Sequence, residues 1–201
     1  MSPGPTFDRV YLALKEQLTG GRYAPGDHLE PVLIGEELHA SITPVRDALH
    51  RLVGERLAEA PRNDGFRSPL LTEFGLRNLY SYNADLLLLA LRHSRPRWSV
   101  PDPPAIPDGD PAASLFVAIG GLSTNAEHRD ALMSTLARLG PARAAEPLVL
   151  EQPEGEIEYL RKALAGDDPA DSRRAVAAYH RRRVRAAPLV LEAMYRRPRP
   201  D

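Results

Sequence analysis

"SITPVRDALHRL", residues 41–52, brings a serine, a threonine, a proline and an arginine together at the start of one apolar pattern. Thr43 is a good helix N-cap by residue type. Pro44 suits the first helical position, where its missing N–H would be unpaired anyway. Val45, Ala48, Leu49, Leu52 and Val53 then recur at helical spacing and form a single stripe to be buried. Arg46 falls off that stripe, at the mouth of the helix. A helix that begins this abruptly, with exposed N–H groups and a cation in its first turns, suits entry into a DNA major groove.

Upstream, Phe7, Val10, Tyr11, Leu14 and Leu18 predict a first helix that Gly20 and Gly21 end. Pro25-Gly26 breaks the chain, and a second short helix is expected over 31–38, burying Ile34 and Leu38. The connector around "HASIT" is short, which permits the steep crossing of a helix-turn-helix. Downstream, "RLAEA" (56–60) reads as a strand and "GFRSP" (65–69) as its return, joined by a loop over 61–65. Three helices and a hairpin make a winged helix-turn-helix over residues 1–69.

Residues 70–201 show only helical periodicity. "TEFGLRNLYSYNADLLLLALRHS" (72–94) predicts one long helix capped by Thr72, with "DLLLLALR" buried in the core or at a dimer interface. Residues 96–111 hold six prolines and are expected to be a loop. Helices are then expected over 112–122, 125–139, 142–151, 154–166 and 169–195. The fold class is therefore mainly α, an N-terminal winged helix-turn-helix followed by an all-helical bundle.

The 201 residues include no cysteine, which excludes disulfides, thiolate zinc sites and cysteine nucleophiles. The formal net charge is -1, and residues 1–69 carry eight Lys/Arg against ten Asp/Glu. A DNA partner must therefore be argued from a local site rather than from global charge. The N-terminus lacks the features of a signal peptide, and the longest apolar run, 86–91, is too short to cross a bilayer. A cytoplasmic protein with no membrane partner is expected. No nucleophile elbow, P-loop, dinucleotide fingerprint or H-E-x-x-H occurs, so catalysis is not expected. The basic stretch "HRRRVR" (180–185) reads as a solvated helix face.

The segment from Leu14 to Phe66 resembles the DNA-binding domain of GntR-type bacterial transcription regulators. Gly21, Pro25, Gly26 and Leu29 match that family's connector. Ser41, Thr43, Pro44, Val45, Arg46, Asp47, Ala48 and Leu49 match its recognition segment, and Gly65 and Phe66 its wing. The remainder is similar, more weakly, to the all-helical effector (FCD-type) domain of the fatty-acid metabolism regulator subgroup. That domain usually takes a small organic acid, often through a metal held by one Asp and three His. The sequence departs from the pattern at Ile42, where Arg is common. Of the ligand positions only His180 matches; Ala112, Phe116 and Glu156 stand at the others.

The resemblance implies a ligand-responsive repressor that acts as a homodimer on double-stranded DNA, at an inverted repeat. Arginine can bond guanine O6 and N7 or clamp a phosphate, which makes Arg46 the leading contact. Ser41 and Thr43 offer hydroxyls to phosphates, with Ile42 and Pro44 in the same turn. His50 lies one turn beyond Arg46. Arg62, Asn63, Gly65 and Arg67 of the wing are placed to meet the minor groove or backbone. In the helical domain Asp85, Asn125, Glu156 and His180 are the candidate effector residues. No metal or other cofactor is expected. The alternative is a winged-helix dimerisation or protein-interaction module whose helical domain has lost ligand sensing.

Overall fold

Three helices form the N-terminal core: α1 (Pro5–Thr19), α2 (Pro31–Glu37) and α3 (Ile42–Gly54). The computed structural model describes residues 4–92, 110–166 and 168–196. α1 buries Val10, Tyr11, Leu14 and Leu18, and α3 buries Val45, Ala48, Leu49 and Leu52. Leu29, Ile34 and Phe66 complete the cluster, with Leu38 packed at its edge. The turn between α2 and α3 is tight. A Cβ added to Gly35 would stand 2.8 Å from the Ala40 carbonyl oxygen, so a side chain there would force the two helices apart. Arg9 fastens the same turn by donating from Nη1 to the Leu38 carbonyl at 2.7 Å.

The start of α3 differs from the expectation. Ser41, not Thr43, is the N-cap residue, and it makes no side-chain capping bond. Pro44 therefore sits third in the helix. None of the first-turn N–H groups has an intrahelical partner, so proline costs little at any of these positions.

The wing also differs. No strand forms among the described residues; the expected hairpin is reduced to isolated bridges, Glu59 with Arg67 and His28 with Arg67. Glu59 and Arg67 exchange both backbone bonds, at 2.8 and 3.0 Å. Pro61 and Pro69 bracket the pair, and neither has an N–H with which to extend the ladder. Asn63 (φ 63°) and Gly65 (φ 65°) turn the loop in the left-handed region.

The helical bundle comprises α4 (Glu73–Arg92), α5 (Pro111–Gly121), α6 (Ala126–Ala145), α7 (Pro153–Ala165) and α8 (Pro169–Arg196). A 3₁₀ turn, Glu146–Leu148, follows α6. Thr72 caps α4, its Oγ1 accepting from the Gly75 N–H at 3.0 Å. α4 packs along α8 as the central pair. Leu86, Leu87, Ala90 and Leu91 lie in the core with Leu115, Phe116, Ile119, Leu132 and Val176.

Two expectations are corrected here. The helix expected over 125–139 and the start of the one expected over 142–151 are one continuous α6 that runs through Pro141 to Ala145; a 3₁₀ turn, not α-helix, follows. Leu136, Leu139, Ala142 and Ala145 bury a single stripe on both sides of that proline, and this packing outweighs the one lost backbone bond. The proline-rich segment 96–111 and His93 lie outside the described residues, except for its last two positions. Asp110 and Pro111 are not loop but the cap and first residue of α5. Among the described residues, no helix is long and apolar enough to cross a membrane.

The two cores meet where α1 runs into α6. Gly140 lies so close to the Thr19 carbonyl that a Cβ would collide with it. Ala137 packs against the N-terminal cluster beside that contact.

Candidate nucleic-acid interface and a buried polar cluster

The first turns of α3 carry Ser41, Ile42, Thr43, Arg46 and Asp47 on the exposed side and Val45, Ala48 and Leu49 on the buried side. Pro44 is half-buried between them. Among the described residues, no hydrogen bond or ion pair engages the side chains of Ser41, Thr43 or Arg46. Neither Asp47 nor His50 pairs with Arg46. His50 is exposed but braced: its ring meets the edge of Phe66 at 4.8 Å, which ties α3 to the wing.

In the wing, Arg62, Asn63 and Gly65 are exposed at the tip. Arg67 is not at the tip with them. Its Nε donates to Glu59 Oε2 at 3.0 Å, its Nη1 lies 3.8 Å from Asp64, and its backbone forms the bridges. That arginine holds the wing together, and its cation is already partnered.

In the bundle, His180 is buried (3% exposed). Its Nδ1–H donates to the Val176 carbonyl at 2.8 Å, and its Nε2 accepts from Asn83 Nδ2 at 2.8 Å. Burial, aided by the charges of Arg183 and Arg143 and opposed by the Val176 bond, pushes its pKa down to about 4. The imidazole is neutral, and both of its nitrogens are occupied. The Phe116 ring packs 5.5 Å from it, at a position where a second metal-binding His would be expected by resemblance. Among the described residues, no three His, Cys, Asp or Glu come together as a ligand set. The donor set therefore does not fit the one-Asp, three-His metal site.

The other effector candidates do not join His180. Asn83 is buried on α4, and Asp85, two residues on, faces solvent. Asn125 is the exposed N-cap of α6, bonded to the Glu127 N–H and to the His128 ring. Glu156 accepts from Arg183 Nη1 at 2.9 Å, and its other oxygen lies 3.2 Å from Arg182 Nη1.

Several residues that sequence reasoning passed over build the cluster instead. Arg183, expected on a solvated face, is 1% exposed. Its Nε donates to Glu146 Oε2 at 2.9 Å, and its guanidinium lies over the Tyr179 ring at 3.2 Å. Tyr80 donates its hydroxyl to the other Glu146 oxygen at 2.8 Å. Burial pushes the Glu146 carboxyl up, against the opposing pull of Arg183 and Tyr80. Arg143 donates to Asp110 and to the Leu136 carbonyl. Among the described residues, three buried atoms near His180 have no partner: Arg143 Nη1, Tyr179 Oη and Asn83 Oδ1. The i, i+3 spacing of His180 and Arg183 was the one available signal, and the run of neighbouring arginines masked it.

Residues 6–67 match the model of the family described as bacterial regulatory proteins, gntR family. The N-terminal domain is thus similar to that family over most of its length. By sequence, this chain is similar to the uncharacterized HTH-type transcriptional regulator YdhC of Bacillus subtilis (strain 168), 26% identical over 89 residues. The alignment covers 44% of this chain and 40% of YdhC, less than half of that relative's length. By structure, the gntR-type domain and the bundle together are similar to E. coli McbR/YncC. The TM-score is 0.65 at 21% identity, over 93% of this chain and 99% of that one. A structure from Rhodococcus sp. RHA1, described as a transcriptional regulator GntR, gives a TM-score of 0.68 at 17% identity, over 93% and 98%. At these identities the likeness is one of fold: a gntR-type winged helix followed by a helical bundle.

Proposed function

We propose that this chain is a sequence-specific DNA-binding transcriptional regulator that acts as a homodimer on an inverted repeat. Residues 1–69 read the DNA, and residues 70–201 dimerise and sense a ligand. The observation that carries this reading is the mouth of α3. Ser41, Thr43 and Arg46 stand exposed and internally unpartnered within the segment that matches the gntR family. Arg46 reads a base edge, Ser41 and Thr43 hold phosphates, and Ile42 and Pro44 shape the turn. His50 and the wing residues Arg62, Asn63 and Gly65 lie beside them, while Arg67 serves by positioning the wing. A two-fold protein suits a two-fold operator.

Repression relieved by a small organic acid is the mode we favour. Arg143 Nη1 and Tyr179 Oη are buried donors without partners, and such atoms usually mark a missing water or ligand. A carboxylate is an acceptor for donors of this kind. A ligand that binds one arrangement of the domains better than another would shift the spacing of the two recognition helices.

Selection of bound duplexes from a random pool, at stated salt, tests the DNA reading. Recovery of a short inverted repeat is the expected result; recovery of no enriched site would overturn it. A second reading, an interaction module, is favoured by the exposed apolar side chains Val32, Leu33 and Ile42 beside the α3 mouth. The acidic balance of residues 1–69 also favours it. An empty selection together with a soluble, folded dimer would support that reading.

A further inference from the structure

The gntR-type domain and the bundle touch at Thr19 and Gly140, and a cavity of about 620 Å³ opens beside that contact. Its walls come from both units and include Leu57, Leu79, Pro141 and Met194. Volumes of this size, at domain interfaces and lined mostly by apolar groups, are typical of small-molecule sites. Three arginines also line it: Arg67, already paired with Glu59, Arg56 from the end of α3 and Arg138 from α6. Among the described residues, neither the Arg56 nor the Arg138 guanidinium has a carboxylate partner. The one acid in the wall, Glu59, is taken by Arg67 at 3.0 Å.

Arg56 is held there by a strained backbone. α3 ends with the Leu57 N–H bonded to the Leu52 carbonyl at 2.9 Å and the Arg56 N–H to the Val53 carbonyl at 3.0 Å. This pattern places residue 56 in the left-handed region (φ 60°), where glycine is the unstrained choice. An exposed arginine at such a position, lining a cavity, is the kind of outlier that accompanies a binding role. Arg138 is half-buried, and its pKa is lowered, by desolvation first and by the charge of Arg56 second. Two like charges, the exposed Arg56 and the half-buried Arg138, one from each unit, thus line a largely apolar chamber whose one carboxylate is already paired with Arg67.

We propose that this chamber is a site for an amphiphilic anion, a single carboxylate or phosphate head on a short apolar body, that bridges the two domains. The head sits between Arg56 and Arg138, where charge-assisted bonds are strongest, and the body lies against Leu57, Leu79 and Met194. The site is separate from the cluster around His180. Its link to regulation rests on the function proposed above: an anion held by both domains favours the arrangement in which the two arginines approach each other.

The test is calorimetric titration of the full chain without DNA, so it does not depend on operator recognition. The probes are octanoate, octyl phosphate, octanol and acetate. One molecule of octanoate or octyl phosphate should bind per chain, at least tenfold more tightly than octanol or acetate. The preferred head group tells carboxylate from phosphate. R56Q and R138Q should each weaken binding at least tenfold, with unchanged far-ultraviolet circular dichroism, and R138K should recover most of it. The proposal is overturned if octanol binds as well as the anions, if neither anion binds, or if the glutamine variants bind like wild type. It is equally overturned if Y179F abolishes octanoate binding while R138Q does not, since the anion would then lie at the His180 cluster.

Discussion

Acidification should destabilise this protein through His180. His180 titrates at an ordinary 6.5 when unfolded and at about 4 when folded, because its neutral ring is buried against Phe116 and Tyr179. Its Nε2 lone pair is used by Asn83. Protonation would set N–H against N–H there unless the amide turned over, and would add a cation near Arg183 and Arg143. The unfolded chain therefore binds the proton more readily than the native one. The stabilisation is fully present above 6.5 and is lost as pH falls toward about 4. At about 1.4 kcal/mol per pH unit, the loss between about pH 7.5 and about pH 4.5 comes to about 2.5 kcal/mol. Urea unfolding followed by circular dichroism at both pH values, for wild type and H180Q, isolates this. Other carboxylates titrate in both proteins, so the difference between the two pH slopes reports His180. H180Q should start less stable and lose about 2.5 kcal/mol less on acidification. Parallel slopes would refute the neutral, buried imidazole.

Four further outcomes are expected. R46A should weaken binding to a selected operator by about 1–3 kcal/mol in fluorescence anisotropy at fixed salt, because no intramolecular bond is lost; its melting temperature should match wild type. R62A should lower affinity for all duplexes alike and reduce the slope of log affinity against log salt by about 1. G35A should destabilise the N-terminal domain by about 1–3 kcal/mol, since the added methyl meets the Ala40 carbonyl at 2.8 Å; hydrogen exchange of α2 and α3 reads this directly. R183M should cost about 3–5 kcal/mol in chemical denaturation, because it leaves the buried Glu146 without its cation, while Glu156 keeps Arg182.

The recognition segment was legible because its information is local. The apolar stripe of Val45, Ala48, Leu49 and Leu52 shows which face of α3 is buried, and Arg46 is exposed simply by lying off that stripe. The wing was less legible. Arg67 and Arg62 look alike in sequence, and only the bridges to Glu59 and His28 turn one inward and leave the other at the tip. The break expected between residues 139 and 142 accords with the local rule that proline disfavours a helix interior. That rule lost to a long-range effect, the packing of α6 on α1 and α4.

Helix order, the winged-helix class and the mouth of α3 follow from residue spacing, because helical periodicity and turn chemistry act over a few residues. The Arg183–Glu146–Tyr80 cluster needed the tertiary structure, since those residues meet from α8, the 3₁₀ turn and α4. The pairing of Arg56 with Arg138 needed it too, because a shared cavity between domains leaves no mark in either local pattern. Burial and electrostatic coupling depend on distances in space, and the buried Arg183–Glu146 pair is formed by segments far apart in the chain.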